Sequence, residues 1–257
     1  KKDMEELLLK YDDYILTFPN DPSGYGNRSV VLESLGYYEL ALSDLKKITD
    51  VNPRFASAHL NISLILLKLG TLHAGWQAYE WRRDLKIDGN EFQKVNEQIG
   101  RPYWQGQPNN KHSKILIYPE QGNGDDIQFF RFVIELKKRG YYIALLNKPS
   151  LNGLLSYNMK KYGIEIFEDK SKLTSDFAYY IFSMSLPNIL GIDFIEQIPC
   201  SDPYLEVEPE FNEKWDKKLK KFKKSGKKNI GVFWKSSSLH RKNRFRNIPF
   251  DKFKKLF

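Results

Sequence analysis

The sequence predicts an α + α/β chain, a block of helices followed by a module of alternating strands and helices, and three observations predict it. Within the first 104 residues, Gly24–Pro53 match Ala58–Ile87 at a shift of 34 positions. Beyond Trp104, short apolar runs of four to six residues alternate with longer amphipathic stretches. After a lysine-rich segment, a further apolar run, Asn229–Trp234, opens what reads as a second α/β unit.

Composition sets the bounds within which those elements must fold. At 257 residues the chain has room for two ordinary domains. Hydrophobic residues make up 41% and aromatic residues 14%, which supports a sizeable core and argues against general disorder. Cys200 is the one cysteine, so a disulfide framework and a thiolate metal cluster are both excluded. That usage fits a reducing compartment, and the expected location is the cytoplasm. No apolar run reaches the roughly 18 residues of a membrane span, and no signal peptide is visible. The first residue is Lys1, not Met, which leads us to expect missing sequence before it.

The helical block is justified first. Aligning Gly24–Pro53 with Ala58–Ile87 places Asn27 on Asn61, Ser29 on Ser63, Leu32 on Leu66, Leu35 on Leu69 and Gly36 on Gly70. The same shift sends Ala41 to Gly75, Leu45 to Tyr79 and Pro19 to Pro53. Met4–Pro19 is therefore expected to be the second helix of an earlier repeat. Small residues (Ser29, Ala41, Ser63, Gly75) allow paired helices to approach, and the Leu-Gly pair turns the chain between them, because glycine tolerates a left-handed backbone. Period and residue types resemble the tetratricopeptide repeat. Such blocks are packing or peptide-binding surfaces without chemistry of their own.

The second module follows a polar linker, Gln105–Lys114. Its expected elements are a strand at Ile115–Tyr118, a helix at Ile127–Gly140, a strand at Tyr141–Leu146, a helix at Leu151–Tyr162, and strands at Ile164–Phe167 and Phe177–Phe182. Alternation of this kind indicates a parallel sheet with crossover helices, a Rossmann-like arrangement. The expected domains are 1–104 for the repeats, 105–214 for the sheet module, and 215–257 for a connecting helix and the start of a second Rossmann-like domain. Net charge is +9, with much of it in Trp215–Lys228, WDKKLKKFKKSGKK. Trp215, Leu219 and Phe222 form an apolar stripe there. The segment reads either as a solvated connecting helix or as a surface attracted to acidic partners. No nucleic-acid motif accompanies it.

Ligands of open α/β sheets bind beyond the carboxyl ends of the strands, which singles out two loops. The first is Glu120–Asp126, within PEQGNGDD. It lacks the third glycine of a dinucleotide fingerprint and the lysine–serine pair of a phosphate loop. What remains is a glycine turn with two carboxylates, Asp125 and Asp126, at a helix N-terminus. Either is a favourable capping residue there, and either in a cleft can take a proton from a hydroxyl. The second loop, KSSSLHRKNRFR, collects Lys235, Ser236, Ser237, Ser238, His240, Arg241, Arg244 and Arg246 behind a buried strand. Hydroxyl and cationic donors gathered in this way suit a diphosphate, and an exposed basic loop is the plainer alternative.

Several blocks in a fixed order carry a family resemblance over nearly the whole chain. They are GWQAYEWR (75–82), RPYWQGQP (101–108), ILIYPEQGNGDDIQFFRF (115–132), SLPNILGI (185–192), IPCSDPYL (198–205) and IGVFWKSSSLHRKNRFRNIP (230–249). The chain resembles bacterial tetratricopeptide-repeat glycosyltransferases, which are related to O-linked N-acetylglucosamine transferases and, through the GxGD loop, to heptosyltransferases. The resemblance implies a GT-B architecture and metal-independent, inverting transfer from a nucleotide sugar, expected to be a UDP-sugar, with no further cofactor. It also implies a protein acceptor such as flagellin presented by the repeats. Asp125 matches the aspartate of GxGD, the candidate general base, with Gly122 and Gly124 shaping its loop. Trp234, Lys235, Ser236, His240 and Arg246 match the segment beside the donor phosphates, and Ser237 falls within it. Ser236 stands where the family often has glycine, and Asn243 where it often has aspartate. The competing expectation is a repeat scaffold that retains the fold without the activity.

Overall fold

The computed structural model describes residues 2–85, 91–173, 176–199, 203–220, 222, 232 and 248–256. The chain divides into two compact units, Lys1–Glu206 and Val207–Phe257.

The first unit opens with five helices: α1 (Lys2–Thr17), α2 (Pro22–Leu35), α3 (Tyr38–Val51), α4 (Ala56–Lys68) and α5 (Leu72–Tyr79). Successive helices pack on one another. The first residues of α2 and α4 are 34 apart, as are those of α3 and α5, and α1 ends 34 residues before α3. Helix α1 thus occupies the second-helix position of a repeat. The turns are set by Gly36 and Gly70, at φ 89° and 80°, a conformation that any side chain would strain. Behind each glycine a backbone N–H reaches back to the equivalent carbonyl, Tyr37 to Leu32 and Thr71 to Leu66.

Close approach of paired helices rests on the small residues. A Cβ on Gly75 would lie 2.7 Å from the Leu67 side chain, inside contact distance. Ser29 and Ser63 are buried, and each satisfies its hydroxyl on a carbonyl of its own helix, Gly26 and Leu60, at 2.7 Å. Leu32, Ala41, Leu45, Ile48, Ala58 and Ile65 fill the space between the helices.

A short 3-10 segment (Glu80–Asp84) and helix α6 (Glu91–Ile99) lead to the sheet. Its strands are β1 (Lys114–Tyr118), β2 (Ile143–Leu146), β3 (Glu165–Phe167) and β4 (Phe177–Phe182). All neighbours are parallel and the order is β3-β2-β1-β4. Helix α7 (Asn123–Lys138) connects β1 to β2, and α8 (Asn152–Lys161) connects β2 to β3. The short helix α9 (Leu186–Leu190) follows β4. The expected strands and crossover helices are all present, with ends shifted by a few residues; Lys114 belongs to the first strand, not to the linker.

Alternation along β1 sorts its side chains between two faces. Ile115 and Ile117 pack with Phe130, Val133 and Leu136 of α7, and with Leu155 and Met159 of α8. Leu116 and Tyr118 face Val95 of α6, with Phe92 and Ile99 packed alongside. Both faces are therefore covered, which explains why these strands read as continuous apolar runs. The repeats are not a separate appendage. Leu72 and Tyr79 of α5 belong to the same core as Trp104 and the sheet. Trp104 is fully buried, and its backbone N–H donates to Tyr180 of β4 at 2.8 Å.

The second unit contains helix α10 (Pro209–Leu219), which begins before the lysine-rich run and leaves Phe211, Trp215 and Leu219 exposed. A single turn of helix, Phe250–Phe253, lies near its end. Except for Val232, the expected strand Asn229–Trp234 lies outside the described residues. Among the described residues, no helix is long and apolar enough to cross a membrane.

Candidate functional site

The strand order places the site. From β1 the chain moves to β2 on one side, while β4 lies on the other. A crevice opens beyond the carboxyl ends of β1 and β4, where the order reverses, and this is where such sheets hold ligands. The loop leaving β1 is Pro119–Gly122, and the chain leaving β4 turns at Ser183–Ser185.

Gly122 caps the N-terminus of α7, and Asp125 occupies the third helical position. The Asp125 carboxylate accepts the Gly122 N–H at 2.9 Å. Asp125 is half-buried and Asp126 buried, because consecutive helical residues point about 100° apart. Asp126 turns toward the sheet and forms an ion pair with Lys148 at 2.6 Å. Burial raises the Asp126 carboxyl above its ordinary value, against the opposing pull of Lys148. A Cβ on Gly122 would lie 3.2 Å from Asp125 Oδ2, so the glycine permits the tight cap, whereas Gly124 faces open space.

Gln121, immediately before this cap, has φ 60°, the one positive value outside glycine among the described residues. Strain of this kind persists only where surroundings hold it. Two contacts do so. Lys148 donates to the Gln121 carbonyl at 2.7 Å, and the Gln121 side-chain amide donates to the Tyr79 hydroxyl at 2.7 Å. Lys148 therefore ties Asp126 and the strained backbone together.

The neighbouring residue, Glu120, is 5% exposed and binds Arg82, which is 3% exposed. Arg82 Nε donates to Glu120 Oε2 at 3.0 Å, and Nη2 donates to Oε1 at 2.7 Å. Nη2 also reaches Ser185 Oγ at 2.7 Å, and Nη1 reaches the Tyr79 carbonyl and Glu80 at 3.1 Å. Glu120 Oε1 accepts a further bond from the Met184 N–H. Burial opposes the charge on Arg82 and Glu120 offsets it, leaving the guanidinium pKa above its ordinary value.

Over this ion pair lies a cleft of about 440 Å³. Leu60 and Leu64 of α4 form one wall; Pro119, Gln121 and Phe182 at the sheet form the other. The repeats and the sheet thus share a concavity at the strand-order reversal. Among the described residues, no group of three or more His, Cys, Asp or Glu side chains is placed to hold a metal ion.

Of the residues singled out from sequence, Asp125, Gly122 and Gly124 come together in this loop. Lys235, Ser236, Ser237, His240 and Arg246 lie outside the described residues. Sequence reasoning missed Arg82 and Lys148 as parts of the site, and it included Glu120 and Gln121 only as members of the loop after the first strand. Arg82 and Glu120 stand within the GWQAYEWR and PEQGNGDD blocks, but nothing local signals that they meet.

Compared with known proteins, the chain is 25% identical over 263 aligned residues to Protein FlbA of Caulobacter vibrioides, which covers 95% of this chain and 42% of FlbA. It is 32% identical over 97 residues to DnaJ homolog subfamily C member 7 of Mus musculus, covering 38% of this chain and 19% of that protein. The human protein of the same name is 31% identical over the same length. The chain therefore spans less than half the length of each of these relatives. No family model matches it.

Proposed function

We propose that this chain is the acceptor-side portion of a GT-B glycosyltransferase, with tetratricopeptide-type repeats, a Rossmann-like domain at 105–214, and the start of a donor-binding domain at 215–257. The observation that carries the reading is the position of the GNGDD loop. It opens α7 beyond the carboxyl end of β1, at the strand-order reversal, with Asp125 partly open to solvent. The acceptor is a protein presented by the repeats, and the donor a nucleotide sugar of the UDP class. The setting is cytoplasmic.

In this reading the Asp125 carboxylate takes the proton of an acceptor hydroxyl as its oxygen attacks the anomeric carbon. The bond from that carbon to the diphosphate breaks, and the diphosphate leaves with the bonding pair, its charge met by Lys235, His240 and Arg246. Asp125→Asn is a clean test, because asparagine still accepts the Gly122 N–H and keeps the cap. Sugar transfer by the full-length protein should fall at least about 100-fold. An unchanged rate removes Asp125 as the base.

A scaffold without activity is the second reading, and one observation favours it: the Asp125 carboxylate already serves the backbone as a helix cap. Absence of any thermal stabilisation of the full-length protein by nucleotide diphosphate sugars would support that reading.

A further inference from the structure

Gln121 and Gly122 share one peptide plane, and charged side chains hold both of its polar groups. Lys148 Nζ donates to the Gln121 carbonyl at 2.7 Å. The Gly122 N–H of the same unit donates to Asp125 Oδ2 at 2.9 Å. The Glu120 carbonyl also turns to the ammonium, at 3.5 Å. Two successive carbonyls that converge on one cation fix the backbone between them, and Gln121 is held there at φ 60°. Lys148 is itself anchored by its neighbour Asn147, which is 4% exposed at the end of β2. The Asn147 N–H donates to the Phe167 carbonyl of β3 at 2.8 Å, and its side-chain amide donates to Asn152 at 2.8 Å. Its Oδ1 accepts the Lys148 N–H at 2.9 Å. Ser150 of the same loop donates to Asn123 Oδ1 at 3.0 Å. The loop after β2 therefore braces the loop after β1 at two points.

Without the ammonium this peptide is free to turn over. The ψ of Gln121 and the φ of Gly122 then rotate in opposite senses, and Gly122 has no Cβ to resist the change. A turned peptide presents its carbonyl to Asp125 in place of its N–H, and the carboxylate loses both its bond and its aim. Among the described residues Asp125 accepts through Oδ2 alone, which leaves Oδ1 for an incoming hydroxyl. We propose that Lys148 is a positioning residue, which fixes the Gln121–Gly122 peptide and through it the direction of the Asp125 carboxylate. This deepens the glycosyltransferase reading and rests on it for the role of Asp125 as base. The clamp on the peptide does not depend on sugar transfer.

Amide exchange in the 257-residue chain, followed by NMR, tests the clamp. In Lys148→Met the Gly122 N–H should exchange at least about tenfold faster, the effect of losing a hydrogen bond to a charged group. Leu116 and Ile117 in β1 should keep their protection. Lys148→Arg retains a cationic donor and should restore most of the Gly122 protection. Asp126→Asn leaves the ammonium on the Gln121 carbonyl and should leave Gly122 unchanged. If Lys148→Met folds poorly with the Asp126 carboxylate buried alone, combining it with Asp126→Asn removes that charge and should still free Gly122. In the full-length protein, Lys148→Met should lower kcat for sugar transfer at least about tenfold with the acceptor KM unchanged, and Lys148→Arg should recover it. Unchanged Gly122 exchange, equal acceleration throughout β1, or the same acceleration in Asp126→Asn alone would overturn the clamp. A freed Gly122 with kcat unchanged, where Asp125→Asn is inactive, would overturn the positioning role. A fully active Asp125→Asn would instead remove the base and leave the clamp standing.

Discussion

Arg28 in the repeats and Arg82 at the sheet hold carboxylates in the same forked geometry, yet they occupy opposite surroundings. Arg28 donates to both oxygens of Asp44 at 2.7 and 2.6 Å, and also to Asp12 at 2.6 Å. It joins three successive helices, with 21% of its side chain exposed. Arg82 is almost wholly enclosed, and it joins the end of the repeats to the loop after β1 and the turn after β4. Neither pair is repeated at the 34-residue spacing: Ile62 and Ala78 stand where Arg28 and Asp44 would recur, and Ile48 stands 34 residues before Arg82. The difference teaches that repeat packing depends on small and apolar residues, which recur. Charge is reserved for joints that occur once.

Removing one partner from the enclosed pair should have the largest effect. Glu120→Ala leaves the Arg82 guanidinium buried without its carboxylate and should cost about 3–5 kcal/mol in denaturant unfolding. Replacing both, Arg82→Met with Glu120→Met, should recover most of that loss, because no buried charge then remains uncompensated. A double variant as damaged as the single one would break the comparison, since shape and not charge would then be the determinant. Arg28→Ala is expected to cost less, about 1–3 kcal/mol, the penalty for leaving the buried Asp44 carboxylate unbonded while water reaches part of the site.

The smallest effect concerns Asp126. Its folded pKa lies above the ordinary 3.8, so its contribution to stability is fully present below that value and is lost as pH rises through the folded pKa. Wild-type stability relative to Asp126→Asn should therefore fall as the pH is raised from below 3.8, read from denaturation midpoints across a pH series. A relative stability that rises instead would mean that Lys148 outweighs burial.

Much of this architecture is legible in residue patterns. The spacing of Leu32, Gly36 and Ala41 against Leu66, Gly70 and Gly75 announces the helix pairs and their turns, because backbone conformation and close packing are demanded locally. Apolar runs such as Ile115–Tyr118 announce doubly covered strands for the same reason. Helix α6 was not anticipated from the sequence: Phe92, Val95 and Ile99 fall at helical spacing, but a stretch this short between polar residues gives a weak signal. The GNGDD turn could be placed at a helix start from its glycines and aspartates alone.

Residue types and position at the helix start left Asp125 and Asp126 equivalent, and only the family resemblance singled out Asp125. Helical rotation separates them, sending one toward the sheet and Lys148 and leaving the other at the loop. Sequence pattern was equally silent on the meeting of Arg82 with Glu120 and Ser185, which lie 38 and 103 positions after it along the chain. Local periodicity reports which face of an element is apolar, and that is enough for helices, strands and turns. Which buried charge finds which partner depends on strand order and on how the last repeat docks against the sheet, and those follow from the packing of the whole unit.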